Sequence, residues 1–355
     1  MTKRHLYLQW DSTEICNLRC EHCYHAVEGN PEHIKTKKLM SLEEACSMID
    51  DLKNTSDRWN MIPDLGLSGG EPMMRKDIFD FLEHVKKRKV HVKLMTNGTL
   101  ITPEKARNLK MVGVNDLQIS IDGNEVLHNK IRGKPFAYSL AMEGIKNATN
   151  AGIIINTAVT LMQQNKEHFQ DIIENSFKAG AKKVGFKSYV PNPELGDKDP
   201  NYMNAASFYE MVLRSKIFAK KYQGKIKVLS SDVLFQIIQD ESHPLINQGK
   251  LEGKFVTGCS AGFREISVLS DGTVYPCRRL PIEIGHISEG LVNLFLNSPV
   301  MKNLRDLDKM KINTKCDKIT HCRGCRAVAY AVTGDYMHKD PMCYKDLIRG
   351  ENEKS

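Results

Sequence analysis

The chain has 355 residues, of which 41% are hydrophobic and 26% charged, with a formal net charge of +8. That length fits one large α/β barrel with a smaller domain beside it rather than one small core, and the composition is that of a soluble protein. No apolar run of about eighteen residues indicates a membrane span, and the opening MTKRHLYLQWDS lacks the apolar core and cleavage site of a signal peptide, so a cytoplasmic location is expected.

Ten cysteines without an export signal argue for metal ligation over a disulfide framework. Ligated thiolates reduce the positive balance. The remaining surplus is spread over short runs such as Lys35–Lys38 and Lys86–Lys89, which read as solvated faces. No basic stripe interleaved with aromatics is present, and neither nucleic acid nor membrane is expected as a partner.

An extended run, Leu6–Thr13, leads into ICNLRCEHCY at residues 15–24, where Cys16, Cys20 and Cys23 stand at C-x3-C-x2-C spacing. Three thiolates on one short loop cannot close a four-ligand site. They can hold three irons of a [4Fe–4S] cluster and leave the fourth iron open to a small ligand. A zinc knuckle or three unrelated thiols is the alternative at this point.

Residues 41–53, SLEEACSMIDDLK, begin with Ser41 and Glu44 in a capping-box pattern. Leu42, Ala45, Met48, Ile49 and Leu52 recur at helical spacing. Cys46 lies in this helix and reads as a small buried residue or a spectator thiol. A strand over 63–68 runs into Gly69-Gly70-Glu71-Pro72. Two glycines after a strand let backbone approach a ligand closely, and Glu71 adds a carboxylate; a bare turn is the other reading.

The pattern then alternates. Helices are predicted over 78–89, 103–110, 138–151 and 167–179, and strands over 90–96, 115–121, 153–161 and 182–189. Such repetition implies parallel strands with right-handed crossovers and ligands at the carboxyl ends of the strands. The Cys loop, Gly69–Glu71, Thr96–Gly98 and Ser120–Gly123 all fall there. Residues 191–203, PNPELGDKDPNYM, form a loop at the same end, either a substrate lid or a connection. A helix over 205–221, a strand over 225–229, a short helix over 232–239 and a linker over 242–254 follow.

From Cys259 the composition changes. Cys259 and Cys277 flank a short β segment, and Cys316, Cys322, Cys325 and Cys343 follow. Six such thiols suit one or two iron–sulfur clusters, although C-x5-C-x2-C alone also resembles a structural zinc site.

The first loop, with His22 in the place before the third cysteine, resembles the cluster motif of the radical S-adenosylmethionine (SAM) superfamily. The tail CRGCRAVAYAVTGDYMHKDPMCY resembles the SPASM/Twitch auxiliary-cluster domain of the same superfamily, in the branch of peptide maturases, pyrroloquinoline quinone maturase and heme-biosynthetic enzymes. The resemblance implies a partial (β/α)6 TIM-type barrel over 1–225, a linker over 226–258, a small α+β iron–sulfur domain over 259–347 and a tail over 348–355. It implies a [4Fe–4S] cluster on Cys16, Cys20 and Cys23 with SAM on its open iron, and one or two auxiliary [4Fe–4S] clusters. Gly69, Gly70 and Glu71 would hold the methionine amino group. Thr96 and Ser120 would contact the ribose or carboxylate of SAM, and His22 would belong to the same site. Asp122 reads as a further contact or as turn chemistry before Gly123, Arg132 as a partner of the SAM carboxylate or a surface charge, and Leu161 as an adenine contact or core.

By the same resemblance Cys259, Cys277 and Cys325 would serve one auxiliary cluster, and Cys316, Cys322 and Cys343 the other. One departure is that Asn313 stands where the family commonly has a cysteine. Asn313, Asp317, water or substrate would complete the ligation. The implied activity is reductive cleavage of SAM and abstraction of hydrogen from a substrate, fed by an external electron donor. A ribosomally made peptide, cross-linked through a thioether or carbon–carbon bond and delivered with or without a separate recognition protein, is the first substrate expectation. A tetrapyrrole losing carbon dioxide from a propionate is the second. An iron–sulfur electron carrier or scaffold is the reading from another class. No side-chain acid or base is assigned.

Overall fold

The computed structural model describes residues 3–24, 39–238, 258–312, 316, 318–319 and 321–352. The expected linker over 242–254 and the lysine run at 35–38 lie outside these residues.

Seven strands stand side by side in chain order, all parallel: β1 (His5–Asp11), β2 (Ile62–Ser68), β3 (His91–Thr96), β4 (Asp116–Ser120), β5 (Ile154–Leu161), β6 (Lys183–Ser188) and β7 (Lys227–Ser230). Helices α1 (Leu42–Arg58), α2 (Ile78–Lys87), α3 (Pro103–Met111), α4 (Glu125–Arg132), α5 (Ala137–Asn150), α6 (Phe169–Lys178) and α7 (Ala205–Lys221) carry the chain back between strands. The result is the expected α/β partial barrel. β7 extends it past the boundary drawn at 225, because Lys227–Ser230 continues the ladder from Lys183–Phe186.

The two faces of the sheet differ. Leu6, Leu8 and Trp10 of β1, Leu65 and Leu67 of β2, Leu94 of β3 and Leu117 and Ile119 of β4 are almost wholly buried. They meet the helical layer, as in the contact of Trp10 with Phe81 of α2 at 4.7 Å between rings. Each such side chain contributes about 1.5–3 kcal/mol by leaving water. The alternate positions are polar or small. Gln9 donates to Ser68 at 2.9 Å across this other face, where Gly66 pairs with Gln9 and Lys93. The apolar core therefore lies between sheet and helices, and the concave side is left to ligands.

Helix α1 starts where expected. The Ser41 hydroxyl accepts from the Glu44 N–H, and Glu44 accepts in return from the Ser41 N–H at 2.7 Å. Helix α4 is an element the alternation did not reveal. Asn124 caps its start, and Gly133, at φ +64°, ends it in the left-handed conformation.

The sheet does not stop at the second domain. β8 (Glu265–Val268) pairs with β1 in parallel, and β9 (Thr273–Tyr275) and β10 (Gly285–His286) follow antiparallel, making one sheet of ten strands. β8 covers what would otherwise be an open edge of β1. Further along lie α8 (Leu291–Asn297), α9 (Pro299–Arg305), α10 (Arg326–Thr333) and α11 (Lys345–Asn352), the last where a tail from 348 was expected. The Asp51 carboxylate of α1 accepts from the Leu291 N–H at 2.7 Å, and Trp59 meets Phe295 edge-on at 5.5 Å. Among the described residues no helix is long and apolar enough to cross a membrane.

Candidate active site at the carboxyl ends of the strands

The Cys loop leaves β1 and stays locked to β2. Ser12 N–H donates to the Ser68 carbonyl at 2.8 Å, Gly70 N–H to Thr13 at 2.6 Å and Glu71 N–H to Ile15 at 2.8 Å. Here the two glycines find their use. A Cβ at Gly70 would stand 2.3 Å from the Ile15 carbonyl oxygen, and one at Gly69, where φ is +130°, 2.6 Å from that of Thr13. The close approach expected at Gly69-Gly70 is to the stem of the cysteine loop.

Glu71 is fully buried. One carboxylate oxygen accepts from the Thr96 hydroxyl at 2.7 Å and the Met73 N–H at 3.2 Å, the other from the Asn97 N–H at 2.9 Å. Burial pushes its carboxyl above the ordinary range against these bonds. Glu71 thus ties β2 to the end of β3, beside the cysteine loop. The Thr96 hydroxyl donates to Glu71 and accepts from the Gly98 N–H at 3.1 Å.

The end of α4 closes on the loop from the other side. Arg19 N–H donates to the Arg132 carbonyl at 3.2 Å and Glu21 N–H to Ile131 at 2.9 Å. The Arg132 guanidinium pairs with the buried Asp122 carboxylate and donates to Cys20 Sγ at 3.6 Å. Its charge thus faces both Asp122 and Cys20. Asp122 likewise faces Arg132, with His22 Nε2 at 4.0 Å. Burial, helped by Arg132, holds the His22 imidazole down at about 4, while the Asp122 carboxylate attracts the proton. Asp122 is held below the ordinary carboxylate range although burial works the other way, with Arg132 the strongest pull downward.

Ser120 is half-buried at the end of β4. Leu161 has no exposed surface and belongs to the apolar core. Cys46 packs against the same core from α1, apart from the other thiols.

Cys16, Cys20 and Cys23 are all half-buried free thiols. Leu18 N–H reaches Cys16 Sγ at 3.4 Å, and Asn97 Nδ2 lies 3.9 Å from it. Burial pushes the Cys16 thiol up to about 11 and raises Cys20 despite Arg132. Ligation to a metal centre displaces such protons. Two buried nitrogens beside Cys20, Arg132 Nε and His22 Nδ1, have no hydrogen-bond partner. The donor from Arg132 to Cys20 Sγ suits a thiolate-bound cluster, whose potential depends on such bonds. These residues fit a [4Fe–4S] centre.

Sequence reasoning missed Asn97 and Asn17, which bond to each other at 2.9 Å and share Thr99, bracing the loop beside Cys16. The only signal was their nearness to motif positions. It also missed Arg278, which follows Cys277 and pairs with the buried Asp11 of β1.

The second group of cysteines gathers in the C-terminal region. Cys316, Cys322 and Cys343 line one cavity, and Lys345 Nζ donates to Cys316 Sγ at 3.4 Å. Cys259 is an electrostatic neighbour of both Cys277 and Cys325. Cys322 Sγ accepts from the Gly324 N–H at 3.3 Å, and the Asp340 carboxylate accepts from the Cys325 N–H at 2.7 Å. Burial raises Cys277 and Cys322 strongly and Cys325 to about 11. Asn313 and Asp317 lie outside the described residues.

Comparison with known proteins agrees with this layout. Residues 10–175 match the radical SAM superfamily, and residues 259–326 match the SPASM iron–sulfur cluster-binding domain. An AdoMet-dependent heme synthase of Methanosarcina barkeri is 31% identical, with 97% of each chain covered. A mycofactocin maturase of Mycolicibacterium smegmatis is 26% identical, covering 95% of this chain and 82% of that one. The fold is that of Streptococcus suis SuiB bound to S-adenosylmethionine, at a TM-score of 0.75 and 14% identity over 96% of this chain and 77% of that one. The cysteine loop at the head of a parallel barrel and the cysteine-rich domain sharing its sheet are thus the two halves of one enzyme type: the chain belongs to the radical SAM superfamily, in its SPASM-bearing branch.

Proposed function

We propose that Cys16, Cys20 and Cys23 hold the [4Fe–4S] cluster at which SAM binds, and that the substrate is a tetrapyrrole whose propionate side chain is decarboxylated. Bound there, cluster and SAM supply a 5′-deoxyadenosyl radical that removes a hydrogen atom from substrate. Loss of one hydrogen atom from the propionate methylene next to the ring, then of carbon dioxide and one electron, leaves a vinyl group. Cys259, Cys277 and Cys325 would hold one auxiliary cluster and Cys316, Cys322 and Cys343 the other, and a cluster there would accept that electron.

The chain's own residues set the stage. Gly69 and Gly70 let the cysteine loop lie against β2, Glu71 fixes the turn after β3, and Arg132 presents a charged donor to Cys20. Ser120 is left on the concave face, in reach of a ligand there.

The observation that carries the substrate class is the end-to-end likeness to the heme synthase, 97% of both chains. The likeness to the mycofactocin maturase supports a peptide substrate as the second reading. The sequence alone ranked the peptide first; the fuller coverage of the heme synthase supports putting the tetrapyrrole first here. The test is anaerobic incubation of reconstituted enzyme with SAM, a reductant and iron coproporphyrin, followed by mass spectrometry. Loss of carbon dioxide with a pair of hydrogens is expected. An unchanged porphyrin, beside a host peptide that loses two hydrogens, would move the substrate to the peptide class.

A further inference from the structure

The corner between α4 and α5 presents apolar side chains to solvent beside the first cysteine loop. Phe136 is 68% exposed, and Leu140, one helical turn on, is 40% exposed. Phe136 is also held in the left-handed region, at φ +67° and ψ 5°, a conformation that a bulky residue rarely keeps. No side-chain capping bond at the start of α5 accounts for it, and a glycine would make the same turn without strain. An exposed ring kept in a strained place is the mark of a contact outside the chain.

The surroundings of this ring are basic. Arg19, Lys130 and Lys134 are exposed, and among the described residues none of them forms an ion pair. Residues 15–20 and 126–142 contain no Asp or Glu. Of the flanking acids, Glu21 accepts from Gln164 at 3.0 Å, and Glu125 stands at the other end of α4. The cations are joined to the cysteine loop. Arg19 precedes Cys20, and its guanidinium donates to the Cys16 and Leu18 carbonyls at 3.0 and 2.9 Å. Lys134 Nζ donates to the Asn17 carbonyl at 3.3 Å, and Arg132 of the same corner reaches Cys20 Sγ. A protein seated here lies against the backbone that carries Cys16 and Cys20.

We propose that Arg19, Lys130, Lys134, Phe136 and Leu140 form the docking surface of an acidic electron-carrier protein, which gives its electron directly to the cluster on Cys16, Cys20 and Cys23. The proposal rests on that cluster assignment and not on the identity of the substrate. The reduced carrier loses one electron and the cluster gains it; no bond forms or breaks. Exposed cations steer a negatively charged partner to the loop. A few apolar side chains within a charged rim suit the small, short-lived contact that redox partners make. The basic run Lys86–Lys89, just before β3, has charge of the same sign at the opposite end of the strands from the cysteine loop, and so serves as the control.

The test uses the reconstituted full chain with two acidic carriers as probes, a flavodoxin and a ferredoxin, and iron content and oligomeric state are measured on every variant. Binding of the oxidised carrier is read by calorimetric titration. Formation of 5′-deoxyadenosine from SAM is read against the concentration of reduced carrier. K130E/F136G is expected to raise both the Kd and the half-maximal carrier concentration roughly tenfold, with each single variant in between. F136G is expected to keep its iron and to unfold no earlier than wild type, since glycine relieves the strain. K87E/K89E is expected to match wild type. With dithionite as the reductant, K130E and F136G are expected to form 5′-deoxyadenosine at the wild-type rate. Unchanged carrier dependence in K130E/F136G overturns the proposal and moves electron entry elsewhere. An equal loss in K87E/K89E, or an equal loss with dithionite, also overturns it, as does a wild type that binds neither carrier. A wild-type dimer that F136G dissociates makes the corner an interface between two copies and overturns it too. Should wild type form no 5′-deoxyadenosine with dithionite, the cluster assignment fails, and the binding titration alone decides the docking surface.

Discussion

Asp122 and Arg132 form a buried ion pair directly behind Cys20. Arg132 reaches that place because α4 ends at Gly133, whose missing Cβ leaves room for the Arg19 carbonyl oxygen; a Cβ would stand 2.3 Å from it. The pair thus links the fourth parallel crossover to the cluster loop through one guanidinium.

Removing one partner of a buried pair strands the other. R132M is expected to destabilise the iron-free protein by about 3–5 kcal/mol, and R132K by less, since the charge is kept and the fork is not. Urea midpoints measure both. A loss below about 1 kcal/mol in R132M would mean that Asp122 is stabilised by its other contacts, the Thr160 N–H among them.

Glu71 accepts three hydrogen bonds and donates none. In E71Q the amide NH2 must face an O–H or N–H donor in a closed site. A cost of about 1–3 kcal/mol is expected, with weaker SAM binding as the turn after β3 loosens. Calorimetric titration with SAM reads the second effect. Unchanged SAM affinity in a destabilised E71Q would confine Glu71 to folding.

The glycines of the barrel are unequal. G70A places a methyl group against the Ile15 backbone, which has no freedom to yield, and should cost the cysteine loop its iron. G152A meets nothing within 4 Å and carries only the strain of its φ of +75°. It should keep its iron and lose roughly 1 kcal/mol. Iron analysis after reconstitution separates the two. Normal iron in G70A would show that the loop can sit elsewhere.

His128 is buried, and its Nδ1 accepts from the Asp122 N–H at 3.2 Å. Burial, with Arg132 nearby, lowers it from 6.5 to about 4. As pH falls below 6.5 the unfolded chain takes up a proton that the folded chain refuses until about 4, so stability present above 6.5 is lost on the way down. H128Q lacks this loss. Its deficit relative to wild type, measured by urea midpoints of iron-free protein, should shrink between about pH 7 and about pH 5. His22, lowered in the same direction, is present in both proteins and cancels. Parallel pH curves would show that His128 titrates normally.

Much of this was legible in the sequence because periodicity and chemistry coincide there. The alternation of Leu6, Leu8 and Trp10 marks a face, and Ser41 with Glu44 marks a start. The cysteine spacing located both groups of thiols. What stayed hidden depends on contacts distant in sequence. Nothing near Glu265 announces that β8 will pair with β1, some 250 residues earlier. Helix α4 has only eight residues, too few for its period to stand out. The bonds that Glu71, Thr96 and Arg132 make to their protein neighbours were not legible either, since a motif shows which side chains gather and not which way each one turns.

The most direct measurement uses an iron porphyrin deuterated at the propionate methylenes next to the ring. It is incubated anaerobically with reconstituted enzyme, SAM and reductant, and the 5′-deoxyadenosine is analysed by mass spectrometry. The account expects deuterium in 5′-deoxyadenosine, in step with carbon dioxide release and formation of the vinyl product, and none of the three in the variant with Cys16, Cys20 and Cys23 replaced by Ala. Undeuterated 5′-deoxyadenosine beside unchanged porphyrin would contradict it.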